Sequence, residues 1–151
     1  MYERIVVGVN TVDTAAEAAR KALALGELTG AEVHLVCALS APEGGARLSD
    51  MLGGATLAVG GTTATPPDDS QDRKHAEHFL DRLRRGVKVK TRTHLLPGDP
   101  AEVILLVAGE VDADLVVVGS RGMHGARRVL GSVPNSVSHK AECSVLIVRT
   151  V

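Results

Sequence analysis

The chain has 151 residues, 44% hydrophobic and 23% charged, the balance of one folded domain of ordinary size, not of two domains or of a disordered chain. Seventeen basic residues stand against eighteen acidic ones, a formal net charge of −1, so no global electrostatic pull toward nucleic acid or an anionic membrane is implied. With no Trp, one Tyr and one Phe, the chain also lacks the aromatic platforms on which single-stranded nucleic acids stack.

Met1-Tyr2-Glu3-Arg4 runs straight into Ile5-Val6-Val7, so no secretory leader is expected. A first strand is predicted over Arg4–Val9. A helix over Thr14–Leu28 follows, opened by Thr14-Ala15-Ala16-Glu17 as a capping box and stopped by Gly30. The second strand spans Glu32–Leu39. From Ser40 to Gln71 the chain carries Gly44-Gly45, Gly53-Gly54, Gly60-Gly61 and Pro66-Pro67, which reads as a flexible Gly/Pro/Thr-rich insert with a turn of helix at Arg47–Leu52. Its uncharged part, Met51–Pro67, is too rich in Gly and Thr for a membrane span.

The second helix, about Asp69–Arg85, sets Phe79, Leu80 and Leu83 on one side and charges on the other. A third strand is predicted at Val87–Leu95. The third helix has the plainest start: Asp99 caps, Pro100 takes the first helical position and Glu102 the third. A fourth strand at Leu115–Gly119, a last helix from about Pro134 to Lys140 and a fifth strand at Ser144–Val148 complete the chain. The strand blocks are Val-rich and apolar without alternation, as in strands buried on both faces of a parallel sheet. Alternation with helices makes the fold a doubly wound α/β sandwich with right-handed crossovers.

In such folds ligands bind beyond the carboxyl ends of the strands, where the strand order reverses. Those ends carry Gly8-Val9-Asn10-Thr11, Ala38-Leu39-Ser40, Pro97-Gly98-Asp99 and Gly119-Ser120-Arg121-Gly122-Met123-His124-Gly125. Gly119, Gly122 and Gly125 permit close approach of the backbone to a ligand, and Gly131-Ser132 offers N–H groups and a hydroxyl at a helix N-terminus, where phosphate is the natural guest. The spacing fits neither a Walker A loop nor the GxGxxG dinucleotide fingerprint. A tight strand-to-helix turn without a ligand accounts for the same glycines.

Asp114-Leu115-Val116-Val117-Val118-Gly119-Ser120-Arg121-Gly122, then Leu130-Gly131-Ser132-Val133 and Cys143-Ser144-Val145-Leu146-Ile147-Val148, together resemble the universal stress protein family. Ile5-Val6-Val7-Gly8 and Pro97-Gly98-Asp99-Pro100-Ala101-Glu102 are similar to it as well. The resemblance covers the chain apart from the insert. It implies a Rossmann-like sheet of the adenine nucleotide alpha hydrolase-like type, five parallel strands in the order 3-2-1-4-5. It also implies an adenine nucleotide as ligand: ATP, with or without magnesium, or cyclic AMP. Carried over position by position, Asn10 and the backbone of Ala38 would flank adenine and ribose, and Gly98 would lie near the sugar. Gly119, Arg121, Gly122, Gly131, Ser132 and Val133 would line the phosphates. The chain departs from the nucleotide-binding pattern twice, with eight residues instead of nine between Gly122 and Gly131, and with Asn10 where an Asp is usual. Both departures bear on affinity and ligand choice and leave the phosphate cradle in place.

The remaining candidates have structural readings. Cys37 packs among Leu35, Val36 and Ala38, Cys143 precedes a strand, and neither belongs to a disulfide or CxxC pattern. His75, Glu77 and His78 are helical neighbours without a fourth metal ligand and read as a solvated face. His124 either touches phosphate or points into water, while Arg127 and Arg128 raise the local positive potential. No nucleophile–base pair is visible, so no catalytic residue is assigned and ATP hydrolysis at most incidental is expected. The expectation is a cytoplasmic adenine-nucleotide sensor or buffer acting in stress. The alternative is a nucleotide-free interaction module. Either would be a homodimer joined through the apolar last strand, an edge in the family arrangement.

Overall fold

The computed structural model describes residues 1–10, 13–39, 69–120 and 132–150, with the backbone alone at 13–15 and 69–70. The order is β1 (Arg4–Val9), α1 (Asp13–Thr29), β2 (Glu32–Leu39), α2 (Asp69–Arg84), β3 (Thr91–Pro97), α3 (Pro100–Glu110), β4 (Leu115–Gly119), α4 (Ser132–Lys140) and β5 (Ser144–Val148). All five strands are parallel, in the order β3-β2-β1-β4-β5. Four of the five predicted strands match to the residue. The insert lies outside the described residues as far as position 68, and so does the helical turn expected at Arg47–Leu52; residues 69–71 belong to α2.

The strands buried on both faces occupy the middle of the sheet because their residues are apolar at odd and even positions alike. Ile5, Val7, Val33, Leu35, Leu115 and Val117 face one layer, shared with Ala19, Ala22 and Leu23 of α1 and Ala76, Phe79 and Leu80 of α2. Val6, Val36, Val116 and Val118 face the other, against Ala101, Val103, Ile104 and Val107 of α3 and Val137 of α4. Helices thus cover both faces, which fixes the doubly wound class.

One strand prediction needs correction. Val87–Leu95 shifts to Thr91–Pro97 because β2 offers partners only from Val33, paired with Thr91, to Leu39, paired with Pro97. Val87 and Val89 spend their apolar side chains against the first core layer without a ladder. Pro97 is tolerated because β3 is an edge strand. The last helix starts two residues before Pro134, which takes its third position, where no intrahelical N–H is required. In α1 the helix already includes Asp13, one residue before the expected cap, and the Thr14 side chain is outside the described residues. Gly30 closes that helix by donating its N–H to Gly26 O at 2.8 Å.

Asp99 caps α3 as expected, accepting from the Glu102 N–H at 3.2 Å with Pro100 at the start. Asp99→Ala should cost about 1 kcal/mol, read as a lowered urea midpoint with an unchanged slope.

A polar cluster interrupts the second layer. His34 is only 4% exposed, and its Nδ1 lies 2.9 Å from His94 Nε2. Its Nε2 stands 3.4 Å from Glu32 Oε1, and Glu32 also holds Lys90 at 2.9 Å and Arg92 at 2.6 Å. Hydrogen bonding from Lys90, then from Arg92, keeps the Glu32 carboxyl below its ordinary range. Burial pushes both imidazoles down; His94 and the Arg92 and Lys90 cations add to this at His34 against Glu32, and Arg92 adds to it at His94 against Glu110. The unfolded chain therefore takes up protons that the folded one refuses. Stability is complete above the ordinary histidine value of about 6.5 and falls as pH drops through it toward the folded values. Thermal melts from about pH 7.5 to 5.5 should show this loss, and His94→Gln should reduce its slope; equal slopes would contradict the assignment.

Candidate functional site

α1, which follows β1, lies on one face of the sheet, and α4, which follows β4, on the other. Beyond the carboxyl ends of these neighbouring strands the chain parts in opposite directions and leaves a crevice. A cavity of about 300 Å³ opens there, at the small end of the range for ligand sites. Gly8, Val9 and Asn10 enter it from β1, Val36 and Ala38 from β2, and Val118 and Gly119 from β4. Pro100 and Ile104 close it from α3, and Ser132, Val133 and Pro134 from the first turn of α4. Thr150, two residues past β5, completes the wall.

The lining divides into two kinds. Val9, Val36, Ala38, Ile104 and Val118 make an apolar slot, with Ile104 packed so close over Gly8 that a Cβ there would run into its Cδ1. Toward α4 the wall includes Ser132 and Thr150, the two hydroxyl-bearing residues of the described lining. None of the described lining residues is charged. A bound anion would therefore be met there by the dipole and free N–H groups of the α4 N-terminus.

Of the nine residues expected at a nucleotide site, the cavity brings together Asn10, Ala38, Gly119, Ser132 and Val133. Gly98 does not line it. Its φ of +137°, which suits glycine, turns the chain from β3 into α3, and its N–H donates to Leu39 O at 3.1 Å. Arg121, Gly122 and Gly131 lie outside the described residues, as do His124, Arg127 and Arg128. Ile104 and Thr150 were not anticipated. The carboxyl-end rule leads to Thr150 when applied to the fifth strand as to the other four; Ile104 carries only the apolar signal of a core residue.

Cys37 faces the first core layer, away from the cavity, and burial raises its thiol pKa. Cys143 is half-buried at the opposite end of the sheet, its thiol raised first by burial and then by Asp114. His75, Glu77 and His78 are exposed on α2, and among the described residues no three His, Cys, Asp or Glu side chains are grouped to hold a metal ion. No helix among the described residues is long and apolar enough to cross a membrane.

Residues 1–149 match the model of the universal stress protein family. The chain belongs to this family. The universal stress protein Rv1636 of Mycobacterium tuberculosis is 32% identical over 154 residues, spanning 99% of this chain and 97% of the relative. Among solved structures, a universal stress protein from Archaeoglobus fulgidus in complex with dAMP is 28% identical, covers 97% of each chain and superposes with a TM-score of 0.65. A universal stress protein in complex with cAMP gives a TM-score of 0.70 at 23% identity, over 99% of this chain and 98% of that one; this likeness bears on the fold. The universal stress protein sheet order expected from the resemblance is the one observed.

Proposed function

We propose that this universal stress protein is a cytoplasmic stress-response protein that binds an adenine nucleotide, ATP or cyclic AMP, as a sensor or buffer. The base would enter the apolar slot between Val9, Val36, Ala38 and Ile104, with Asn10 at the ribose. The phosphates would reach the α4 N-terminus at Ser132 and Val133, beside Gly119, with Arg121, Gly122 and Gly131 supplied by the sequence between β4 and α4. The observation that carries this reading is the apolar slot ending at a helix N-terminus, placed at the switch point of the sheet. The Archaeoglobus fulgidus relative with its dAMP supports it. Asn10 contributes no charge at the site, so any magnesium would arrive on the triphosphate and not in a cage of protein carboxylates.

The role proposed is binding, without a catalytic residue. Ser132→Ala should weaken binding by roughly tenfold or more, because a hydrogen bond to a charged group contributes about 1.5–3 kcal/mol. Ser132 is exposed and lies inside α4 as its first residue, so the melting temperature should hold. Calorimetry with ATP and cyclic AMP beside a thermal melt checks both. A wild-type chain that takes neither at millimolar concentration would return the cavity to a structural role and favour the nucleotide-free interaction module.

The homodimer proposed for either role would form through β5. That strand is an edge of the sheet, Leu146 on it is 39% exposed, and Val145 and Ile147 are half-buried. An apolar edge that no other described strand pairs with favours pairing with a second copy of itself. Light scattering should report a dimer, and Leu146→Lys a monomer; a monomeric wild type would rule the pairing out.

A further inference from the structure

We propose that Thr150 is a ligand-contacting residue of this cavity, its hydroxyl serving the phosphate end of the nucleotide, and that Ser120 is the residue that positions it. The proposal rests on the adenine-nucleotide reading and adds to it a strand that the reading does not use.

Ser120 follows β4 directly and is 2% exposed. Its N–H donates to Val148 O at 2.8 Å, and its Oγ accepts the Thr150 N–H at 3.0 Å. These two bonds splice the exit of β4 onto the exit of β5 and fix the backbone of Thr150. The side chain so fixed lines the cavity. It does so across Gly119: a Cβ at that glycine would lie 3.2 Å from Thr150 Cγ2 and 3.5 Å from Oγ1. A side chain at 119 would crowd Thr150 by a few tenths of an ångström. Among the described residues, none takes the Thr150 hydroxyl as a hydrogen-bond partner, whereas its backbone N–H is paired.

Its place in the sheet decides which part of the ligand it meets. The cavity runs from β2 across β1 and β4 to the exit of β5, three strand spacings or about 14 Å. Val36 and Ala38 make the β2 end apolar, suited to a base; Ser132 and Thr150, the hydroxyl-bearing residues of the described lining, belong to the other end, together with the α4 N-terminus. Thr150 thus joins Ser132 at the polar end of the described lining. With no charged side chain among the described lining residues, a second hydroxyl donor is a substantial part of what the described wall can offer an anion.

The test is calorimetric titration of AMP and adenosine into the wild-type chain, Thr150→Val, Thr150→Ser and Ser120→Ala, each with a thermal melt. Thr150→Val keeps the shape and removes the hydroxyl. It should bind AMP about tenfold more weakly, bind adenosine as the wild type does, and melt at the same temperature. Thr150→Ser should retain AMP affinity. Ser120→Ala should lower the AMP-to-adenosine preference in the same direction, and combined with Thr150→Val should add little more, as expected for residues acting through one contact. Unchanged AMP binding by Thr150→Val, or an equal loss for AMP and adenosine, overturns the assignment while leaving the nucleotide reading intact. A wild type that binds neither compound overturns this assignment, and one that also fails to bind ATP and cyclic AMP overturns the nucleotide reading with it.

Discussion

Leu35→Ala should lower the free energy of unfolding by about 2–5 kcal/mol, a large share of the roughly 5–15 kcal/mol that holds a domain together. Leu35 is fully buried in the middle of β2, a strand enclosed by β1 and β3, and it belongs to the layer that α1 and α2 cover. The layer around it is packed mainly from Val, Ala and Leu side chains with Phe79, which relax only partly into the cavity that the truncation leaves. Urea unfolding followed by circular dichroism measures the loss. A change below about 1 kcal/mol would mean that this layer is not packed as described.

Gly8→Ala carries the largest effect expected at the site. The new Cβ would collide with Ile104 Cδ1 and lie 3.1 Å from its Cγ1, with Val118 Cγ1 at 3.7 Å. Ile104 lines the cavity, so the open space into which its end can swing is the apolar slot itself. Overpacking of this kind costs about 1–3 kcal/mol, which spent on binding is roughly ten- to hundredfold in affinity. Ile104→Val removes the colliding atom at a cost of about 0.5–1.5 kcal/mol to folding. The double variant should therefore recover nucleotide affinity that Gly8→Ala loses. Strictly additive losses would show that the two residues do not share the slot.

The sheet was legible in the sequence because its central strands are apolar on both faces and bounded by Gly, Asp or helix caps. The strand at 91–97 was not, since Val87-Lys88-Val89-Lys90 has the alternation of a strand but no partner opposite it; pairing is a property of β2, not of the segment itself. The cap of α3 was legible to the residue, as Asp99-Pro100 and Glu102 each satisfy a local rule. Of the cavity's described lining, Asn10, Ala38, Gly119, Ser132 and Val133 were named by the carboxyl-end rule and the family pattern. Gly98 obeys the same rule yet serves the turn into α3. Ile104 and Thr150 reach the cavity only through the packing of α3 over Gly8 and the splice at Ser120, contacts between residues about 96 and 30 positions apart, which no local pattern encodes. The histidine pair escaped for the same reason, joined as it is across 60 positions.

The central claim is that an adenine nucleotide occupies the cavity at the carboxyl ends of β1 and β4. Titration of ATP, and in a second series of cyclic AMP, into isotopically labelled protein, followed through the backbone amides, tests both binding and place. The account predicts saturable shifts at Asn10, Ala38, Gly119, Ser132 and Thr150, with Asp112 and Cys143 at the opposite end of the sheet unmoved. An absence of shifts at millimolar concentrations of both nucleotides, or shifts gathered around Asp112 and Cys143, would contradict it.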